Sequence, residues 1–363
     1  MHIVHFLNHS RKANGHVEVA VDLACEQVRQ GHEVTFLAGR GDFDDCLAAH
    51  GVRFLRIPDR SGLTRIVRTI LDVLLILRRL RPDIVHAHMV VSALAARAAR
   101  PFSGFALITT VHNSFDRQSA LMGVANRVIA VSGAVMREMI GKGIPEAKLR
   151  VVRNGTINGS RRPHWPISKM ELRRPAIATV AGLHGRKGID TLIDAFVKVR
   201  LTGTDAHLYI VGVGPDRQQL EKQANDSAFA GDIHFMGHLS DPREVLANAD
   251  IFALASLHEP CGLALIEARQ MGCACIASSV GGNPEILDFG NAGRLFTAGD
   301  AGDLAETFHS VLSSPDVLLQ MRQSAQSGWQ NWTVERMARE TIAIYEEAIL
   351  RHAASSPIGV RVS

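Results

Sequence analysis

The stretch Ile251-Phe252-Ala253-Leu254-Ala255-Ser256-Leu257-His258-Glu259-Pro260-Cys261-Gly262-Leu263-Ala264-Leu265-Ile266-Glu267 reads as strand, loop and helix in immediate succession. Residues 251–255 are apolar and short, as a buried strand requires, and 263–271 carry a helical apolar pattern. The Pro-x-Gly turn between them opens the helix, and Gly262 lets backbone come close to a ligand. A helix start offers unpaired N–H groups and suits phosphate. If Glu259 and Glu267 share the helix, eight positions come to about 800°, which sets the two carboxylates about 80° apart. Carboxylates for hydroxyls and amides for a diphosphate are what a nucleotide-sugar needs. Taken alone, the segment fits a capped surface helix with two solvated glutamates equally well.

Working outward, the strand–helix alternation repeats on both sides. Towards the C-terminus, strands are expected at 176–181, 208–211, 233–236, 251–255 and 275–278, with helices at 189–199, 216–225, 263–271 and 301–312. Towards the N-terminus, strands are expected at 3–7, 34–38, 52–57, 83–88, 107–112, 127–131 and 149–152, with helices notably at 17–30 and 133–140. Short β-branched runs alternating with helices argue parallel sheets covered on both faces. The expected fold class is α/β: two Rossmann-like doubly wound domains in tandem, facing a cleft, with ligands outside the carboxyl ends of the strands. The polar, Pro- and Gly-rich run from Asn158 to Pro175 reads as the interdomain linker. The domains are then 1–160 and 161–333, and an amphipathic helix over about 334–352 is expected to cross back to the first. After Ala353 the chain reads as a loose tail.

A length of 363 residues suits two cores, and 46% hydrophobic with 21% charged residues is ordinary for a soluble globular protein. The net charge of +4 is modest, and no basic run or aromatic-interleaved stripe points to nucleic acid. Five cysteines without framework spacing read as reduced thiols, and the N-terminus enters a strand with no signal-peptide pattern, so a cytoplasmic protein is expected. One stretch, Leu63 to Arg81, places Ile66, Val67, Ile70, Leu71, Leu74 and Leu77 at helical spacing among Arg65, Arg68, Arg78, Arg79 and Arg81. It is too short and too charged to span a bilayer. Such a helix either lies in an anionic interface or covers a sheet.

Other loops carry chemistry at strand ends. Ala181-Gly182-Leu183-His184-Gly185-Arg186-Lys187-Gly188 follows a strand, opens a helix and supplies two cations, which suits a diphosphate. Gly212-Val213-Gly214-Pro215 and Gly281-Gly282-Asn283-Pro284-Glu285 also follow strands, though glycines at those spacings occur in plain turns as well. In the first half, Asn14-Gly15-His16 lies where a phosphate or acceptor would meet the sheet edge. His86 and His88 alternate on a strand and face one way; a metal would need further ligands that no nearby Cys, Asp or Glu provides. His112 closes another strand.

Together these segments resemble the retaining family 4 glycosyltransferases (glycosyl transferases group 1), which have the GT-B fold. The likeness covers about Met1 to Leu350. Its most specific part is Glu259 to Glu267, which looks like that family's Glu-x7-Glu motif. The remaining matches come in family order: Gly15, Pro82 to His88, His112, Val131-Ser132, Asn154-Gly155, Arg186-Lys187-Gly188, Gly212 to Pro215, and Gly281-Gly282-x-Pro-Glu285. The resemblance implies that Glu259 bonds donor sugar hydroxyls and that Gly262 and Leu263 offer amides to the donor. It assigns Glu267 to the ribose hydroxyls, Lys187 to the diphosphate, His112 to the transferring sugar and Gly15 to the phosphate and acceptor side. Arg186, Gly212 and Gly214 would complete the donor site. In one departure, many members carry Arg where this chain has Gly182, and Arg186 is a candidate substitute. The first loop also has Asn14-Gly15 where a Gly-Gly pair is common.

The implied function is transfer of a hexose-type sugar, with retention, from a UDP- or GDP-linked donor to an acceptor hydroxyl. The acceptor would be a glycan or lipid-linked glycan in lipopolysaccharide or exopolysaccharide assembly. The first domain would bind acceptor and the second donor. No cofactor or metal is expected, since cations and helix amides can stabilise the leaving diphosphate. Peripheral contact with the inner face of the membrane fits the arginines of residues 63–81. The alternative is a non-catalytic sugar-nucleotide-binding partner in a glycan assembly complex, which Gly182 supports. A dinucleotide-dependent oxidoreductase would need Gly-x-Gly-x-x-Gly after the first strand, where only Gly15 stands.

Overall fold

The computed structural model describes residues 1–12, 14–58, 65–161, 167–168 and 170–355. Residues 63–64 of the basic stretch, residues 162–166 and 169 of the proposed linker, and the tail from 356 onward lie outside these.

The chain divides into two compact units, Met1–Arg161 with Trp332–Ser363, and Arg162–Asn331. In chain order the first contains β1 (His2–Phe6), α1 (Gly15–Arg29), β2 (Glu33–Ala38), α2 (Asp44–Ala49), β3 (Arg53–Arg56), α3 (Arg65–Leu80), β4 (Ile84–Ala87), α4 (Val90–Ala99), β5 (Ala106–Val111), β6 (Arg127–Ala130), α5 (Gly133–Gly141) and β7 (Leu149–Val151). Its strands form one seven-stranded sheet in the order β3-β2-β1-β4-β5-β6-β7, parallel at every pairing. Every residue of β4, β5 and β6 is buried, because helices cover both faces. Ser132 caps α5 by accepting from the Val135 amide at 3.2 Å.

The second unit holds β8 (Ala176–Val180), α6 (Ile189–Leu201), β9 (His207–Val211), α7 (Arg217–Asn225), β10 (Ile233–Gly237), α8 (Arg243–Leu246), β11 (Ile251–Leu254), α9 (Leu263–Met271), β12 (Ala274–Ser278), α10 (Asn283–Ile286), β13 (Arg294–Phe296), α11 (Ala301–Leu312) and α12 (Pro315–Ala325). The sheet order is β10-β9-β8-β11-β12-β13, again parallel. Phe196, Leu208, Ile210, Ile276, Phe296 and Phe308 belong to its core. In this unit α8, β13 and α12 are additions to the sequence reading. β13 is only three residues long, too short for a period, while α12 starts with Ser314 as cap and Pro315 at its first position.

The last helix, α13 (Val334–Ser355), belongs to the first unit and packs on α1 and β5. Its Tyr345 is fully buried, and Glu347 accepts from Arg127 at 2.9 Å and from Arg150 at 2.7 Å. Part of the run read as linker is anchored in the first unit. The Arg161 guanidinium donates to Asp22 at 2.9 Å and Glu18 at 2.8 Å on α1. Beyond the undescribed residues, Arg174 pairs with Asp250 in the second unit.

Candidate functional site

In the second unit the strand order reverses between β8 and β11, which opens the loops after these two strands to a ligand. Those loops are residues 181–188 and 255–262, and they are tied together. The Leu257 amide donates to the Arg186 carbonyl at 2.8 Å. Gly188 takes φ +61°, and a Cβ there would stand 2.1 Å from the Ala255 carbonyl oxygen, so only glycine lets the loops close. Gly281 does the same for the next loop: at φ +54°, a Cβ would come 1.9 Å from the Glu259 carbonyl oxygen.

This closure brings Lys187 to Glu259. Lys187 Nζ donates to Glu259 Oε2 at 2.5 Å, and Ser256 Oγ donates to the same oxygen at 3.0 Å. The side chains are 15% and 7% exposed, so each charge is largely desolvated and depends on the other. A carboxylate and an ammonium thus stand together at the carboxyl end of β11, beside the N-terminus of α9. Glu267 is buried in α9, and the amide of Leu263 is among the first of that helix. Gly212 and Gly214 lie in the loop after β9, where the Val213 carbonyl accepts from the Leu183 amide at 3.0 Å. The donor-binding residues expected from sequence therefore share one edge of this unit.

Two details differ from the sequence reading. Glu259 precedes α9, whose first residue is Leu263, so the helical angle between the carboxylates does not apply. The loop conformation and the Lys187 ion pair position Glu259 instead. Gly262 has φ −76°, and a Cβ there would lie 2.8 Å from Leu254 Cδ2 and 3.0 Å from Asn283 Oδ1. The absent side chain is thus already accounted for by internal packing.

At Gly182 a Cβ would meet the His184 imidazole at 3.2 Å. The ring of His184 occupies the space of the missing side chain, and Arg186 reaches it at 3.4 Å. Arg186 itself is exposed. Burial, then the charges of Arg186 and Lys187, hold the His184 pKa below 6.5. His184 and Ser256 are site residues that motif reading passed over. His184 lay in plain view between two glycines, but nothing in the sequence showed that its ring folds back over Gly182.

In the first unit the corresponding reversal lies between β1 and β4. There His5 pairs in register with His86, and a continuous hydrogen-bonded chain runs through the interior. Gln27 Oε1 contacts His5 Nε2 at 2.7 Å; His5 Nδ1 contacts His88 Nε2 at 2.9 Å; His88 Nδ1 contacts His112 Nε2 at 3.1 Å. An amide oxygen only accepts, so with the Gln27 amide placed this way each proton position follows. His5, His88 and His112 all carry hydrogen on Nε2 and accept on Nδ1 where a neighbour donates. In the other direction Gln27 Nε2 donates to the Tyr345 hydroxyl at 3.3 Å. That hydroxyl is 2.6 Å from His86 Nδ1, and His86 Nε2 is 2.6 Å from Thr110 Oγ1. Burial keeps these rings neutral. It lowers His5 to about 4 and His112 to about 3, and it holds His86 and His88 well below 6.5.

All six nitrogens of His5, His86 and His88 are engaged, so these buried rings form a structural network. The sequence reading set His86 and His88 on one face and found no nearby Cys, Asp or Glu to complete a metal set; strand pairing brings His5 alongside as a third ring. Gly15 is the first residue of α1, and its neighbour His16 places its ring 6.0 Å from that of His112. Gly15 and His112 thus belong to one neighbourhood of the first unit.

Comparison with solved structures shows which architecture these paired sheets form. Anabaena Alr3699/HepE, solved in complex with UDP-glucose, superposes with a TM-score of 0.80 at 18% identity, over 95% of this chain and 100% of that one. The fold is that of the GT-B glycosyltransferases, with two Rossmann-like domains. The Glycosyltransferase Family 4 model matches residues 13–156, and the Glycosyl transferases group 1 model matches 165–328. This chain belongs to the group 1 / family 4 glycosyltransferases. Among curated relatives, Mycobacterium tuberculosis glycogen synthase is 31% identical over 66% of this chain, which spans 62% of that relative's length. The Rhizobium meliloti lipopolysaccharide core biosynthesis glycosyltransferase LpsE is 28% identical over 98% of this chain and 100% of its own.

Proposed function

We propose that this protein is a retaining glycosyltransferase that moves a hexose-type sugar from a nucleotide diphosphate donor to an acceptor hydroxyl. The observation that carries this reading is the Lys187–Glu259 pair at the β8/β11 switch point, beside the open amides of α9. Lys187 would turn to the diphosphate as charge builds on the leaving group, and the helix amides would share that load. Glu259, released from part of its ion pair, would accept from donor sugar hydroxyls, and Glu267 would serve the ribose. His112 would meet the transferring sugar. In front-side transfer the anomeric C–O bond to phosphate breaks as the acceptor oxygen bonds on the same face. The acceptor proton passes to the leaving phosphate oxygen, so no side-chain nucleophile and no metal is required.

His184 bears on the rival reading of a non-catalytic binder, which rests on Gly182. Its imidazole fills that position, with the Arg186 guanidinium beside it, so the pair can replace the absent arginine. LpsE is a lipopolysaccharide core enzyme by its description, and its match over the full chain supports a surface-glycan acceptor. The test is a thermal-shift screen with UDP- and GDP-sugars, followed by NMR of the anomeric product with the best donor. A stabilising donor and a retained anomeric configuration are expected. Inversion would overturn the mechanism, and donor binding without slow hydrolysis would favour the binder.

No helix among the described residues is long and apolar enough to cross a membrane. α3 buries Val73 and Leu77 yet leaves Leu71 51% and Leu75 65% exposed. Arg68, Arg78 and Arg79 are exposed with them, all within an arc of about 100°. That face supports peripheral binding to an anionic bilayer at a cytoplasmic membrane surface. Changing Leu71 and Leu75 to Ser should weaken sedimentation with anionic vesicles and leave neutral vesicles unaffected. Equal binding of both vesicle types would remove the proposal.

A further inference from the structure

We infer that Cys25, Cys46 and His50 form a binding site for a soft d10 metal ion of the zinc type, independent of the sugar-transfer residues. One ligand atom from each residue lies within 4.8 Å of the others. Two sulfurs on a tetrahedral zinc stand about 3.8 Å apart, so small side-chain adjustments suffice. Cys46 and His50 are four residues apart at the end of α2, on one helix face, and Cys25 reaches them from α1.

The imidazole is already prepared. His50 Nδ1 is 2.8 Å from the Cys46 carbonyl oxygen, which can only accept, so the proton sits on Nδ1 and the lone pair is on Nε2. A ring nitrogen donating to a backbone carbonyl is the usual support for a metal-bound histidine. The sulfurs are equally ready. The Cys25 and Cys46 sulfurs lie within 4.8 Å of each other and of an imidazole nitrogen. The further contact of Cys46, to the Ser160 carbonyl, is long at 3.9 Å. Asp22 is not the next ligand, because Arg161 already holds both its oxygens, at 3.1 and 2.9 Å.

Cys25 is buried, Cys46 is half-buried and His50 is exposed, so a metal has a path in and a fourth position open to water. Binding releases one proton from each thiol as two metal–sulfur bonds form. The softness of two thiolates and an imidazole favours zinc over magnesium or calcium. The other histidine cluster lacks these features: His5, His86 and His88 have every nitrogen engaged and no exposed edge.

The test is titration of the reduced full-length protein with Co2+ without oxygen, followed by displacement with Zn2+. Thiolate-to-cobalt charge-transfer bands and intense tetrahedral visible bands should saturate at one ion per chain and vanish with zinc. Cys46→Ser should abolish them, and Cys261→Ser should leave them unchanged. His50→Ala, at an exposed position, should keep the fold while weakening binding by no less than the roughly 10- to 100-fold that loss of a supporting partner costs. Zinc should raise the thermal midpoint of the wild type and not of Cys46→Ser. Absent bands in the wild type, bands that persist in Cys46→Ser, or unaltered affinity in His50→Ala would each overturn the site.

Discussion

At the switch point of the first unit, between β1 and β4, the interior is lined by neutral imidazoles linked end to end. At the switch point of the second, between β8 and β11, a lysine and a glutamate neutralise each other. The topology is shared, but the two polar interiors meet opposite physical demands. A neutral relay is satisfied internally and fixes where each hydrogen lies. A desolvated ion pair holds two charges that a ligand with its own charge can redirect. The comparison separates a unit built to orient from a unit built to exchange charge.

The largest test is at the ion pair. Lys187→Ala and Glu259→Ala should each lower turnover by about 10²- to 10³-fold, the scale of one lost charge-stabilising contact. Lys187→Ala should also destabilise the second unit by about 3 kcal/mol, since it strands a buried carboxylate. Pairing Lys187→Met with Glu259→Gln should restore the melting temperature but not turnover. Recovery of both would mean the pair is purely structural.

Next comes the relay. Gln27→Leu leaves His5 and Tyr345 without their partner and should cost about 1–3 kcal/mol in chemical denaturation. Nitrogen-15 NMR should show Nε2–H on His5, His88 and His112 in the wild type and mixed tautomers in the variant. Nδ1–H throughout the wild type would reverse the chain and the contrast drawn from it.

Acid should then distinguish the units. The folded pKa of His5 and of His16 is depressed to about 4, and that of His112 to about 3, from 6.5. The unfolded chain therefore binds more protons in this range. Stability is fully present above 6.5 and declines as pH falls through 4 towards 3. Glu347, pulled to about 2 first by Arg127 and then by Arg150, adds a loss between 4.5 and 2 that loosens α13. Hydrogen exchange followed by mass spectrometry should show the first unit opening before the second. Earlier loss of protection in the second unit would contradict the assignment.

The smallest effect is expected at His184→Ala, about fivefold weaker donor binding for a contact of about 1 kcal/mol. Calorimetry with the donor found in the screen measures it. No change there would leave Gly182 uncompensated.

Most of this was visible along the chain. Strand and helix periods located most elements because a short apolar run and a helical apolar stripe are local signals. Glu259 and Lys187 stood out because they lie in glycine-containing loops between an apolar strand and a helix, and Glu267 because it stands eight positions after Glu259 in the helix that follows. The His5–His88 contact did not, because it crosses from β1 to β4 through sheet pairing. Nor did the reach of Tyr345 back to Gln27, since a lone tyrosine in an amphipathic helix carries no signal of its partner.

The sequence by itself determined two parallel α/β units and the loops that hold chemistry, since period, glycine placement and charge are local properties. Tertiary structure alone decided that Lys187 meets Glu259, that His184 covers Gly182, and that His5, His88 and His112 share one proton order. Those outcomes depend on distances between residues far apart in the chain, which only strand register and loop closure set.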